Sequence, residues 1–310
     1  MRFGIHTGQQ YTDYPGYVAL WRKAEELGLD WASVFDHFIP IQVDPEGPCF
    51  DGLTALAGLA GATTRLRCGV IVTGVTYRNP ALLAKIATTI DHISGGRMEL
   101  GMGAAWFELE HEQYGFAFPP VGQRMDMLEE SVTIVKSLLT QERTTFEGRH
   151  FKVKDAMFLP KPLQKPSIPI WIGGGGEQRT LRIVAKHADG WNYFLGPEDA
   201  YRHKLDVLAG HCQKVERDPT TIRKSLIFQA VLDSTREAAA ERAAKLAAEG
   251  GKTRAPLGEA AIVGTADDLI AALYPFIALG VSDFLLGSRP PGDSRTLELF
   301  AEKVASALRK

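Results

Sequence analysis

Eight short apolar segments, most followed by a stretch with helical periodicity, constrain this chain more than any other feature. The segments are "RFGIHT", "WASVF", "RCGVIVTG", "RMELGMG", "PIWIGG", "GWNYF", "SLIFQAVL" and "VSDFLLG". Between them lie amphipathic stretches. One holds Val18, Leu20, Trp21, Ala24 and Leu27 and closes on Gly28, and a second runs from about Asp51 to Thr63. "ALLAKIATTIDHI" follows Pro80 and ends at Gly95-Gly96, and "QRMDMLEESVTIVKSLL" precedes the hairpin-like "TFEGRHFKVKD". Later come "EQRTLRIVAKHA", opened by Glu177, a stretch starting near Pro197, "REAAAERAAKLAAEG", "ADDLIAALYPFIALG" and a last helix reaching Lys310. Alternating strands and helices predict a parallel sheet covered on both faces. Eight such units favour a closed (β/α)8 TIM barrel over an open doubly wound sheet. No linker or repeat beyond the strand–helix unit interrupts residues 1–310, so a single domain is expected, with three long insertion segments as candidate lids.

A formal net charge of -2 gives no reason to expect a nucleic-acid or membrane-surface partner. Cys49, Cys68 and Cys212 are far apart and form no CxxC pair, which suggests free thiols in a reducing cytoplasm. The strand-like start "MRFGIHTG" lacks a signal-peptide core, and no apolar run approaches the roughly 20 residues that cross a bilayer. A soluble, cytoplasmic protein is expected.

Active sites of such barrels gather where the strands end. The residues there are His6-Thr7-Gly8, Asp36-His37, Thr73-Gly74-Val75, Gly103-Ala104-Ala105-Trp106, Gly173 to Gly176, Trp191 to Phe194, Gln229-Ala230 and Gly287-Ser288-Arg289. Small, aromatic and sparsely charged, they suit a flat aromatic ligand. In "WIGGGGEQRT" the glycines Gly174, Gly175 and Gly176 let backbone N–H groups approach an anion, although the run does not fit GxGxxG. Asp36 and His37 end an apolar strand. They either form a satisfied structural pair, with Asp36 capping the next turn, or act on a ligand. Thr73-Gly74-Val75 reads equally as an ordinary loop or as a bulge pressed on a ligand. Glu108, Glu110, His111 and Glu112 form an acidic turn that reads as a solvated helix face as readily as a site. The Glu-x-x-His spacing of Glu108 and His111 has no second copy, so no metal site is expected.

Taken in order, "AEELGLDWASVFDHF", "VTGVTYRNPALLAKIATTIDHISGGRMELGMGAAW", "EHEQYG", "TFEGRHF", "PIWIGGGGEQRTLRIVAKHADGWN" and "VSDFLL" resemble the luciferase-like monooxygenase superfamily. Within it they are most similar to the coenzyme F420-dependent oxidoreductases, over essentially the whole chain. The resemblance implies a luciferase-like barrel with a deazaflavin, or alternatively FMN, in its mouth. It places a non-prolyl cis bond within Thr73-Gly74-Val75 behind the ring. Gly103, Ala104, Ala105 and Gly174 to Gly176 would hold the ribityl and phosphate portion. Asp36 would bond the ring or position its neighbour, and His37 would move a proton at the reactive edge. Some relatives carry an acid where this chain has Ala104, which leaves Glu108 as the candidate second acid/base. Some carry tryptophan where this chain has Ile41. The implied chemistry is hydride transfer with a small organic substrate by a homodimer. The alternatives are an FMN-dependent two-component monooxygenase, a non-catalytic flavin-binding barrel and a cofactor-free phosphate-ligand barrel.

Overall fold

The computed structural model describes residues 1–289 and 292–309 of the chain. Its strands are β1 (Arg2–Thr7), β2 (Trp31–Val34), β3 (Arg67–Gly74), β4 (Met98–Gly103), β5 (Arg143–Glu147), β6 (Lys152–Met157), β7 (Ile170–Gly173), β8 (Gly190–Phe194), β9 (Arg223–Phe228), β10 (Ala230–Leu232), β11 (Ile262–Gly264) and β12 (Asp283–Gly287). Eight of them pair in parallel in the order β1-β2-β3-β4-β7-β8-β9-β12, and β12 closes on β1. This is the expected (β/α)8 barrel. The first nine helices are α1 (Tyr14–Glu26), α2 (Gly52–Ala62), α3 (Pro80–Ile93), α4 (Glu108–Tyr114), α5 (Val121–Thr140), α6 (Thr180–His187), α7 (Glu198–Lys214), α8 (Arg236–Gly250) and α9 (Ala266–Ala278). A C-terminal helical stretch from Ser294 to Leu308 holds a π-helical segment at Phe300–Ala305. Lys310, where that helix was expected to end, lies outside the described residues.

Local chemistry sets the helix starts. Asp13, Asp51, Asn79 and Thr235 each accept a backbone N–H of the first helical turn, and Pro15 and Pro80 sit where no N–H is needed. The main core lies between barrel and helices. A second small cluster of Trp31, Ile71, Trp171, Ile227 and Leu285 fills the barrel itself. There the indoles of Trp31 and Trp171 stack with centroids 5.6 Å apart, and the Arg2 guanidinium lies 5.0 Å from the Trp31 ring. A side chain at Gly190 would begin 2.3 Å from the Trp171 ring, so glycine makes room for the indole. Beside this plug the buried carboxylate of Glu99 accepts from Arg2 at 2.6 Å, from the Trp171 indole at 2.5 Å and from Arg67.

Four expectations are corrected. "SLIFQAVL" is two strands, because the chain leaves the barrel at Gln229 and β10 pairs instead with β11 from the third long insertion, "GGKTRAPLGEAAIVGT" at residues 250–265. Helix α6 starts at Thr180, three residues later than Glu177, so a turn separates it from the glycines. The acidic turn is helix α4, and Glu110 and His111 on it are buried rather than solvated. The non-prolyl cis bond joins Ile71 to Val72, just before Thr73-Gly74-Val75. The expected hairpin is the antiparallel pair β5–β6. No described helix is long and apolar enough to cross a membrane.

Candidate active site

At the end of β2 the chain leaves the sheet at Phe35, and Asp36 and His37 come to rest at the barrel's C-terminal mouth. His37 is 7% exposed and ringed edge-on by Phe35, Trp106 and Phe107, with centroids at 5.5, 5.6 and 5.9 Å. Its Nδ1 lies 2.6 Å from Oε1 of Glu110. Glu110 also accepts the Phe38 N–H at 2.9 Å and the Tyr77 hydroxyl. Burial pushes the Glu110 carboxyl up, but the bonds from His37, Tyr77 and Phe38 outweigh it and hold the group below its usual range. An ionised carboxylate only accepts, so Nδ1 of His37 carries the hydrogen. In the neutral ring Nε2 then keeps its lone pair, and it has no hydrogen-bond partner among the described residues. The arrangement orients the imidazole at the barrel mouth.

Asp36 faces another way. Its Oδ2 accepts from Thr73 Oγ1 at 2.5 Å and from Arg78, whose other nitrogen reaches Asp51 Oδ1 at 2.6 Å. Asp51 also caps α2, so Arg78 ties the end of β2 to the start of that helix. Burial raises the Asp36 pKa and Arg78 and Thr73 only partly offset it. Oδ1 is buried with no partner among the described residues. An orphaned buried acceptor calls for a donor, and an N–H edge of a flavin-type ring is such a donor.

The opposite wall is built from backbone. Gly174 has φ +110°, a conformation that requires glycine, and a side chain at Gly175 would start 2.4 Å from the Tyr193 ring. Lys204 holds the Gly175 carbonyl at 2.9 Å. The backbone N–H groups of Gly175 and Gly176 have no acceptor among the described residues. On the neighbouring strand Gly103 is buried, Ala105 has φ +61°, and Arg124 takes the carbonyls of Ala104 and Ala105 at 3.2 and 2.5 Å. With those carbonyls tied back, this wall fits an anionic, oxygen-rich chain. Thr73 and Val75 are buried, and Gly74 is packed close against Tyr77 and Ala105. The residues present therefore fit a flavin-type cofactor. Among the described residues no cluster of side chains could hold a metal ion.

Glu108 does not join the dyad. It is exposed on α4, with Arg124 as a charged neighbour, and it is Glu110, not the candidate second acid/base Glu108, that bonds His37. A partial signal for this was present: Phe107, Glu110 and His111 share the i, i+3, i+4 spacing of one helix face, and Glu110 and His111 are its buried members. Tyr77, Arg78 and Arg124 carried no local signal, since each acts on a partner at least 19 residues away.

The molecule is thus a (β/α)8 barrel with an oriented imidazole on one side of its mouth and a glycine-rich wall on the other. Residues 1–282 match the family described as luciferase-like monooxygenase, and the chain belongs to that family. An F420-dependent glucose-6-phosphate dehydrogenase of Microbacterium testaceum is 31% identical over 207 residues, which cover 66% of this chain and 60% of that one. Among the other curated relatives, some are matched over about half their length, 49%, and an F420-dependent glucose-6-phosphate dehydrogenase of Rhodococcus jostii over 98% of its length at 26% identity. The solved F420-dependent secondary alcohol dehydrogenase, bound to an F420-acetone adduct, superposes with a TM-score of 0.83 at 19% identity, covering 100% of this chain and 99% of that one. A monooxygenase from Streptomyces bottropensis does so with a TM-score of 0.83 at 21% identity, covering 99% and 100%. Both structures share the fold.

Proposed function

We propose that this protein is a coenzyme F420-dependent oxidoreductase that transfers a hydride between the deazaflavin and the carbinol or carbonyl carbon of a small organic substrate. When bound, the deazaflavin supplies a ring carbon that accepts or returns two electrons as hydride. The observation that carries the reading is His37 at the barrel mouth, held by Glu110 through Nδ1 with Nε2 unpartnered among the described residues. As a C–H hydride leaves an alcohol, its O–H proton passes to Nε2 and a C=O bond forms; in the reverse direction His37 returns the proton. Asp36 is suited to receive a ring N–H on Oδ1, and the wall of Gly103, Ala104, Ala105, Gly174, Gly175 and Gly176 to receive the ribityl and phosphate chain. The named relative supports deazaflavin over FMN.

The free thiols Cys49, Cys68 and Cys212 suit a reducing cytoplasm. The working unit is read as a homodimer of single-domain chains. Helix α3 leaves Leu82 and Ile93, on one face with Ile86, 54% and 48% exposed, and sedimentation would check this.

Titration of the purified protein with oxidised F420 and, separately, with FMN, followed by tryptophan fluorescence, tests the cofactor. Tight F420 and weak FMN binding are expected. The reverse would make the chain a component of an FMN-dependent monooxygenase, and binding of neither would overturn both.

A further inference from the structure

We propose that Tyr77 is a positioning residue for proton transfer at His37. Its phenol donates to the same Glu110 oxygen that takes the imidazole Nδ1–H, and the strength of that donation sets how readily Nε2 takes a proton. The inference deepens the oxidoreductase reading and rests on it for the proton transfer, whereas the hydrogen-bond coupling is measurable in the protein alone.

Tyr77 stands on the loop between β3 and α3, and its backbone N–H bonds the Gly74 carbonyl at 3.2 Å. Its ring meets Phe38 edge-on with centroids 5.1 Å apart, and lies 5.0 and 5.5 Å from the rings of His111 and Phe116. A side chain at Gly74 would begin 2.5 Å from the Tyr77 ring, so glycine there lets the phenol lie against the end of β3. Held by these contacts, the hydroxyl reaches Oε1 of Glu110, which also lies 2.6 Å from His37 Nδ1. The other carboxylate oxygen, Oε2, takes the Phe38 N–H at 2.9 Å.

Sharing one oxygen couples the two donors. A hydrogen bond to a carboxylate stabilises its charged form and lowers its basicity. With Tyr77 donating, Oε1 pulls less strongly on the Nδ1 proton and does less to stabilise an imidazolium. Nε2 is thereby kept a weaker base, and a proton taken there is more readily returned. The Glu110 side chain is buried, so solvent screens this coupling little. The phenol remains a donor throughout, because burial and the Glu110 carboxylate hold its pKa well above the ordinary value.

The titratable and charged groups around the pair are otherwise engaged. Cys49, on the segment after β2, places its Sγ 3.5 Å from the His37 carbonyl, and burial with the nearby carboxylates pushes its thiol up to about 12, so it stays neutral. Asp36 is paired with Arg78. On α4, His111 donates Nδ1–H to the Phe107 carbonyl at 2.7 Å, and in the neutral ring its Nε2 accepts the Thr76 hydroxyl at 2.7 Å. Glu108 and Glu112 are exposed on the same helix. The Tyr77 hydroxyl is thus the contact through which the strength of Oε1 is set.

Nuclear magnetic resonance of the protein alone is the first test, with the His37 Nδ1–H signal assigned by its loss in His37→Asn. Tyr77→Phe should move that signal downfield, as the bond to a more basic carboxylate strengthens. Tyr77→3-fluorotyrosine, whose phenol donates more strongly, should move it upfield. With F420 bound and an alcohol being oxidised, the acid limb of the kcat profile should shift to higher pH in Tyr77→Phe by roughly half a unit to one unit. In the fluorotyrosine variant it should shift to lower pH. A purely structural role would lower the melting temperature and leave both the resonance and the limb in place. That result, or shifts in the same direction in the two variants, overturns the proposal. Should Tyr77→Phe fail to fold, the fluorotyrosine variant, which keeps ring and hydroxyl, decides by itself. Should F420 fail to bind the wild type, the oxidoreductase reading falls, and the resonance shifts still decide the coupling.

Discussion

What holds His37 fixes its tautomer. Three donors converge on Glu110, and one of them is the imidazole Nδ1–H, so in the neutral ring the lone pair is on Nε2. His37→Asn should lower kcat by roughly 10²- to 10⁴-fold, the span of a lost general base, with F420 affinity nearly intact. Glu110→Gln keeps the size but places an amide N–H against one of the three donors, and roughly a tenfold or greater loss of kcat is expected. Glu108→Gln, on the exposed side of α4, should change kcat far less than Glu110→Gln. Steady-state kinetics with F420 bound would check all three, and a larger effect at Glu108 would remove the dyad.

At the scale of elements, the third long insertion is anchored by one small device. Thr265 and Asp268 form a reciprocal capping box at the start of α9, and Asp268 also binds Arg236 at the start of α8 at 2.5 Å. The box ends β11 at Gly264, whose carbonyl accepts the Asp233 N–H at 3.1 Å. Thr265→Ala should cost about 1 kcal/mol, a drop in Tm of roughly 2 °C for a chain of this size, and Thr265→Ser should restore most of it. Hydrogen exchange should quicken first in the β10–β11 ladder. A uniform change across the barrel would show that the box does not govern the insertion. Sequence periodicity could not anticipate this ladder, because β10 and β11 are three residues each and are separated along the chain by α8.

For the whole molecule, the closed end of the barrel matters as much as the open one. Glu99 is 1% exposed and neutralised by Arg2 and Arg67, and Arg2 also binds Asp283, so β1, β3, β4 and β12 meet at one cluster. Burial pushes the Glu99 pKa up, and the attraction of Arg2 and Arg67 more than reverses it. A carboxyl with a lowered folded-state pKa contributes stability that is present above its unfolded pKa and lost as pH falls through the folded one. Glu99→Gln should therefore destabilise the protein at neutral pH by about 3–5 kcal/mol, the usual result of leaving a buried charge uncompensated. It should also flatten the fall in stability below roughly pH 4.5. Denaturant melts across pH would show this, and an unchanged acid limb would place the acid sensitivity elsewhere.

By itself the sequence determined the barrel, because a period of strand and helix repeated eight times leaves few ways to bury both faces of every strand. It also determined the inventory at the strand ends: Asp36, His37, the glycines and the small residues after β4. Tertiary structure decided which of these meet. The phase of one short helix turned Glu110 inward and Glu108 outward. Closure of the sheet set β12 against β1, 281 residues apart along the chain at Arg2 and Asp283, and so carried Gly287 to the side of His6. Helical phase and ring closure are properties of packed elements, and no window of local sequence contains them.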